Sequence, residues 1–542
     1  LVWSSIANHI SSPGFENDFI TVADTNRKVF HSHPWSLQGG GVLELKNIVE
    51  QSATYQLSSF GEVGISGHVN ADEILVTDRG VYQRHQAGAG MRKFYLEGDE
   101  VRDWFESPDT ICLFPYDDDF ELHSDLDPKT LEFLWPFRTA LWARAGSRGL
   151  SYKQLGRSWF RWHRMNKSRY QTPLTITYAE VATHNHFVLD RGGKAFKQTA
   201  PVFKASDEKS EGFHISLLGV LNSSTGEFWQ TQIFYAKGGS EEAFQERYQR
   251  DSTKMKDFPL SGTRPTEGPR RLDTLGQRMS DLQPRSLAER AIPTAETLDD
   301  AREERREVLG QMIALQEELD WQYYGIYGLC QDPPLAADFH PSGDEETALD
   351  DLPHVELGER PFETVLARKM ERGDANTTWF ERHGSTPRID IPERWPDWYR
   401  DLVQARIEMI DGPQDKRERF VKLIEAPEFK RRWNLDSWED LEDDALEEWL
   451  KNRLETARYI PQAPDAVTLI AASDDSVTAG RGSGSEPRPA DERPELITVT
   501  SLAHEAREDE HFMSVAERYT GDPGFDVERL VADLVAGEAV PF

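Results

Sequence analysis

Two cysteines, Cys112 and Cys330, are all that the 542 residues carry. They cannot build a disulfide framework or a thiolate metal cage, and a reducing, cytoplasmic setting follows as the default. No apolar run is long enough to cross a bilayer, so no membrane is expected as a partner. The opening LVWSSIANHISSPGFEND lacks a basic region leading into a hydrophobic stretch and cleavage site, so it is not expected to be a signal peptide. The common enzyme signatures are missing: no Gly-rich loop ending in Gly-Lys-Ser/Thr, no HExxH, no Gly-x-Ser-x-Gly. Ala87-Gly88-Ala89-Gly90 stands without a strand-turn-helix context. His31, His33, His163, His184 and His186 have neither cysteines nor spaced carboxylates around them, so no metal is expected. The acidic runs Asp117–Asp119 and Glu442–Asp444 read as solvated faces and not as a nuclease centre. Lysine is scarce, at 18 of 62 basic residues.

What is present is acid. The formal charge is −33, a balance that suits high salt or a GC-rich genome. Against it stands Ser151–Lys204, with ten Lys/Arg, two acids and a charge of +8; the rest, 52 basic and 93 acidic residues, stands at −41. A positive segment kept in such a chain points to a polyanion. Its cations alternate with Trp159, Phe160, Trp162, Tyr170, His163, His184 and His186, rings that could stack on bases while the cations hold phosphates. The plainer alternative is a set of structural arginines balancing acids elsewhere.

At this length two to four domains are expected. Residues 1–60 mix short strand-like runs with a turn at Gly39–Gly41, and 61–237 become β-rich. There Leu174, Ile176 and Tyr178 alternate with Thr175 and Thr177 as a half-buried strand, and HFVLD and KAFKQTA flank Arg191-Gly192-Gly193 as a hairpin. HISLLGVLNSSTGEFWQTQIFYA has helical spacing on both sides of a Ser/Thr/Gly break. Residues 238–331 form a connector ending in a long helix from about Glu296 to Tyr324, read as packed on its own domain in preference to a dimeric coiled coil. Asp332 to Glu359 holds nine acids and no Lys or Arg, so residues 332–360 read as an acidic linker. A helical domain dense in tryptophan (361–472), a flexible Ser/Gly/Pro linker (473–495) and a terminal segment (496–542) complete the order. The fold class is α+β: a mixed target-recognition domain followed by a mainly helical C-terminal domain. The chain opens without Met and closes on VADLVAGEAVPF, which reads as a piece of something larger.

Several stretches are similar, in order, to a known family. GISGHVNADEILVTD (64–78), YLEGDEVRDWF (95–105), ICLFPYD (111–117), ITYAEVATHNHFVLDRGGKAFKQTAPVF (176–203) and LLGVLNSST (217–225) resemble the target-recognition region of adenine-specific DNA methyltransferases of the type IIG kind. LQEELDWQYYGIYGL (315–329), the segment 357–410, the segment 424–455 and HPWSLQGGG (33–41) resemble methyltransferases of the phage growth limitation, or type 2 bacteriophage exclusion (BREX), system. The resemblance implies double-stranded DNA and other phage-exclusion proteins as partners, and S-adenosylmethionine as cofactor of the complete protein.

One departure bears on mechanism. Such methylases hold an extruded adenine against an Asn/Asp-Pro-Pro-Tyr/Phe loop, whose ring stacks on the base. Here the Pro-Pro pair is Asp332-Pro333-Pro334-Leu335, with no aromatic. This chain is therefore expected to bind no cofactor and to contribute no catalytic residue, the methylase half lying upstream or lost. Its expected work is to bind and orient duplex DNA. Arg157, Arg161, His163, Arg164, Lys167, Arg169, Lys194 and Lys197 are the candidates for phosphates and guanine edges. His184, Asn185 and Gln198 are candidates for base-edge hydrogen bonds. The rival readings are a non-catalytic interaction subunit of a defence complex and the specificity part of a type IIG restriction–modification enzyme.

Overall fold

The computed structural model describes residues 2–15, 41–455 and 498–537 apart from 171–172, 207–208, 413–418 and 434, together with isolated positions between 16 and 40. The flexible linker 473–495 and the HPWSLQGGG stretch, Gly41 apart, lie outside the described residues.

The fold is α+β, with two four-stranded sheets in the first half and helices after them. The first sheet runs Phe187–Asp190, Thr175–Tyr178, Val202–Ala205, Gly61–Gly64, all antiparallel. The second runs Lys194–Phe196, Arg92–Leu96, Thr110–Leu113, Val76–Asp78, with only the first pair parallel. Two expectations change here. Phe187–Asp190 and Lys194–Phe196 do not form a hairpin: the chain crosses between sheets through Gly192 and Gly193, whose φ of 104° and 88° only glycine adopts readily. Thr175–Tyr178 is buried on both faces, because it is an interior strand covered by helix Glu211–Leu221. Its threonines satisfy themselves internally, Thr177 Oγ1 donating to the Pro201 carbonyl at 3.2 Å.

Each sheet contributes to a core of its own, and Leu96 and Phe196 of the second meet Val188 and Val202 of the first in a small cluster between them. Ile176, Tyr178, Phe187, Leu189 and Phe203 join a large core that reaches from Val42 to Leu534. Leu75, Tyr95, Leu113, Phe114 and Trp162 form a separate, smaller core for residues 69–195.

The helical break was legible for good physical reason. Glu211–Leu221 and Ser224–Ile233 are capped by Ser210 and Ser223, whose hydroxyls accept from Phe213 N and Gly226 N. A Cβ on Gly226 would lie 2.4 Å from the Val220 carbonyl, so the tight turn requires glycine. Asn222 between the helices accepts from Phe187 N–H and donates to the Phe187 carbonyl, pinning the edge strand. The long helix spans Ala295–Ile326 and packs within the chain.

The acidic stretch 332–360 is not a solvated linker. It carries two short helices, Ala336–Phe339 and Glu345–Asp350, and buries Ala336, Ala348, Leu349 and Val355 in the large core. The Pro334 carbonyl accepts from buried Arg406. At the C-terminal end, Glu510–Thr520 and Val527–Ala536 pack against Trp438–Leu454, and Val499–Arg507 packs on those two helices. No helix among the described residues is long and apolar enough to cross a membrane.

Candidate nucleic-acid interface

The ten cations of the basic window divide sharply by partner. Lys194 bridges Asp190 and Glu106, which hold its ammonium above its ordinary range despite burial. Lys197 meets Glu97 at 2.6 Å and Arg191 meets Glu211 at 2.6 Å. Lys167 pairs with Glu121, and Arg169 donates to the Ile65 carbonyl and lies 3.8 Å from Glu62. Lys204 points inward, donating to the Leu174 carbonyl and Thr175 hydroxyl, and burial lowers it to about 8. Lys167, Arg169, Lys194 and Lys197 thus carry compensated charge.

Lys153, Arg157, Arg161 and Arg164 differ: among the described residues no carboxylate lies within ion-pair distance of any of them. They occupy one short stretch of the small-core subdomain. Arg164–Met165 pairs antiparallel with Gly67–His68, and Arg164, exposed, stands opposite His68. Arg144 rivets the loop before it, donating to the carbonyls of Val69 (3.1 Å), Trp159 (2.7 Å) and Arg161 (2.8 Å) while stacked on Tyr152. The strip is therefore preorganised. His163 sits within it, hydrogen-bonded through Nδ1 to the Tyr152 hydroxyl at 3.2 Å, its ring edge-on to His68. Burial, then His68 and the neighbouring arginines, lower its pKa, so near neutrality the ring is uncharged.

The aromatic residues do not stack outward. Trp159, Phe160 and Trp162 are buried in the small core, where the Trp162 indole N–H donates to the Leu113 carbonyl. A sequence shows alternation of ring and cation but not which side of the surface each takes.

Two of the three base-reading candidates are corrected. His184 is 1% exposed and its Nε2 meets Asp103 Oδ1 at 3.0 Å; burial, then Arg432 and Arg431, push its pKa well below the ordinary value. Asn185 is 3% exposed, donating through Nδ2 to the carbonyls of Leu221 (2.7 Å) and Ser223 (2.9 Å). Neither can reach a base, because each is consumed in holding strand to helix. Gln198 is exposed.

Asp103, His184 and His186 converge closely enough to invite a metal. The Asp103 carboxylate already faces Arg431, 2.8 Å from Oδ1, and His186 Nδ1 accepts the Asp103 backbone N–H. The Arg431 guanidinium already supplies the positive charge beside this carboxylate, so a divalent cation would meet like-charge repulsion there. The glycine turn Ala87–Gly90 does not suit S-adenosylmethionine either. It links helix Arg79–Arg84 to strand Arg92–Leu96, the reverse order of a nucleotide loop, and Thr130 takes the Gly88 N–H.

Sequence reading missed the element that joins the two halves. Lys430, Arg431 and Arg432 are consecutive cations at 0%, 3% and 2% exposure. Lys430 lies 3.2, 3.1 and 3.0 Å from Glu317, Asp320 and Glu425, which keep its ammonium above the ordinary range although burial opposes it. Arg431 crosses to Asp103, Asn185 and Asn222 of the sheet-bearing half, and Arg432 donates to the Phe244 carbonyl at 2.8 Å. The available signal was three cations bracketed by Phe429 and Trp433 in an acid-rich helical region.

Fold and site define a two-sheet scaffold with a preorganised cationic strip, locked to a helical C-terminal unit. That unit has a family of its own: residues 312–542 match a family described as a domain of unknown function, DUF7008. Over its whole length the chain is 35% identical to the adenine-specific methyltransferase PglX of Streptomyces coelicolor, which bears out the resemblance found in the sequence. The chain covers 42% of that relative, less than half its length. A solved structure of the type IIL restriction–modification enzyme MmeI in complex with DNA superposes with a TM-score of 0.32 at 10% identity, over 55% of this chain and 35% of that one. A likeness that distant carries no argument.

Proposed function

We propose that this chain is the DNA-recognition and C-terminal helical portion of a site-specific adenine-N6 DNA methyltransferase that marks self DNA in a phage-defence system. The observation that carries the reading is the strip Lys153, Arg157, Arg161 and Arg164. In a protein of charge −33, where five of the other six window cations meet acids and Lys204 is turned inward, these four remain without a carboxylate among the described residues, on a riveted loop. A duplex supplies the missing negative charge as phosphates. The full-length match to an adenine-specific methyltransferase supports the same reading. Arg164 and Gln198, both exposed, are the proposed base-edge contacts, and the other strip cations set register on the backbone. S-adenosylmethionine and the flipped adenine belong to parts of the complete protein beyond this chain. Other phage-exclusion proteins and a cytoplasmic setting complete the proposal.

The test is a salt titration of duplex binding by the full chain. Reversing charge at Arg157, Arg161 and Arg164 together should weaken binding to all sequences and flatten the slope of log K against log salt, by about 0.9 for each phosphate no longer neutralised. Lys194→Ala, which removes a compensated charge, should leave the slope unaltered. A triple variant with the parent's slope overturns the assignment.

A further inference from the structure

The small subdomain carries a second cationic feature, which adjoins the strip and shares Lys153 with it. Helix Pro128–Leu134 gives way to a tight turn, Trp135–Phe137, and then to helix Arg138–Ala143. Trp135 is 54% exposed, an unusual placement for the largest apolar side chain. The Arg138 guanidinium lies 4.4 Å from the Trp135 ring and 4.1 Å from the Trp142 ring, and Lys153 Nζ lies 5.5 Å from Trp142. Among the described residues no carboxylate pairs with Arg138 or Lys153. Arg138 Nε is buried without a hydrogen-bond partner.

This ladder is continuous with the strip. Lys153 N–H donates to the Trp142 carbonyl at 3.2 Å. Arg144, just past the end of the same helix, holds the carbonyls of Trp159 and Arg161. One rigid surface therefore presents an open indole, two uncompensated cations and the phosphate strip in succession.

A second protein would need acids to meet those cations and an apolar side chain to cover the indole. A nucleic acid brings both a charge and a π-face in every nucleotide. Within a continuous duplex the base faces are covered by their neighbours, so an indole on the protein surface meets one only where the stack is open. We propose that Trp135 stacks on an unstacked base of bound DNA, with Arg138 and Lys153 holding the phosphates that flank it. The inference rests on the DNA-binding reading above.

Two fluorescein-labelled duplexes test it with the full chain, one fully paired and one identical but for a single unpaired thymine. Anisotropy titrations at fixed salt should show the parent favouring the bulged duplex roughly tenfold, the scale of one base–aromatic stack. Trp135→Ala should bring the ratio of the two affinities close to one, and Trp135→Phe should retain most of it. Matching thermal melts of parent and variants show that the fold is kept, as expected for an exposed side chain. A parent without preference, or a Trp135→Ala variant that keeps it, overturns the inference. If paired duplex still binds with a normal salt slope in that case, the stacking site fails alone. Absence of salt-dependent binding to either duplex defeats both readings.

Discussion

Arg431 and Asp103, 328 residues apart, form a fully buried ion pair in which Arg431 Nη1 donates to Asp103 Oδ1 at 2.8 Å. The same guanidinium donates to the Asn222 carbonyl at 3.0 Å, in the turn that pins the edge strand. One side chain thus couples the DUF7008 region to the fold of the sheet-bearing half.

Arg431→Met should be severely destabilising, by about 3–5 kcal/mol, since it leaves the Asp103 carboxylate buried without a counter-charge. Asp103→Asn combined with Arg431→Met should restore part of that loss, because both charges are then gone. Urea unfolding followed by circular dichroism measures both. A single variant within about 1 kcal/mol of the parent would show that the pair is dispensable.

Asn185 and Gln198 should separate structure from readout. Asn185→Ala orphans two buried carbonyls and should cost about 1–3 kcal/mol of stability with site choice unchanged. Gln198→Ala should leave the melting temperature alone and relax discrimination, by about 1–3 kcal/mol at one base pair if the amide makes a bidentate contact. The experiment restores the methylase half and maps modified sites by single-molecule sequencing. An unaltered motif in the Gln198 variant would remove that residue from the interface.

Glu317 gives a pH signature. Burial holds its carboxyl up to about 7, against an ordinary 4.5, although Lys430 pulls the other way. Between those values the unfolded chain has released a proton that the folded chain keeps, so this group's contribution to stability falls as pH rises. Glu317→Gln stays neutral throughout. Its stability relative to the parent should rise as pH increases from about 5 to about 8. His184 and His186, lowered well below 6.5, act in the opposite sense and lose stability as pH falls below about 6.5. They are common to both proteins and cancel in the difference. A difference independent of pH would contradict the assignment.

Much of the helical architecture was legible from local signals, since Ser210, Ser223 and Thr294 are caps beside apolar periodicity. The positive window was legible as a sum of charges. Which cations remain uncompensated was not, because the acids that neutralise them are distant in sequence: Glu97 is 100 residues from Lys197, and Glu121 is 46 from Lys167. The acidic stretch 332–360 misled for the complementary reason. Most of its acids are exposed, while Ala336, Ala348 and Leu349 of its short helices complete a core assembled from elsewhere. Lys430-Arg431-Arg432 resembles a surface run in any local window, and only the long-range arrangement of Glu317, Asp320 and Asp103 makes burial favourable.

That arrangement also sets an order of events on the ribosome. Asp103 leaves the exit tunnel 328 residues ahead of Arg431, a delay of roughly 16 to 66 s at about 5–20 residues per second. Throughout that interval the nascent recognition half holds a carboxylate whose counter-ion has not been made, and the large core lacks the helices that close it. The first half is therefore expected to wait in an open, chaperone-dependent state until Trp433 has emerged. Exchange of the sheet-bearing half between related proteins is therefore expected to keep position 103 and position 431 matched.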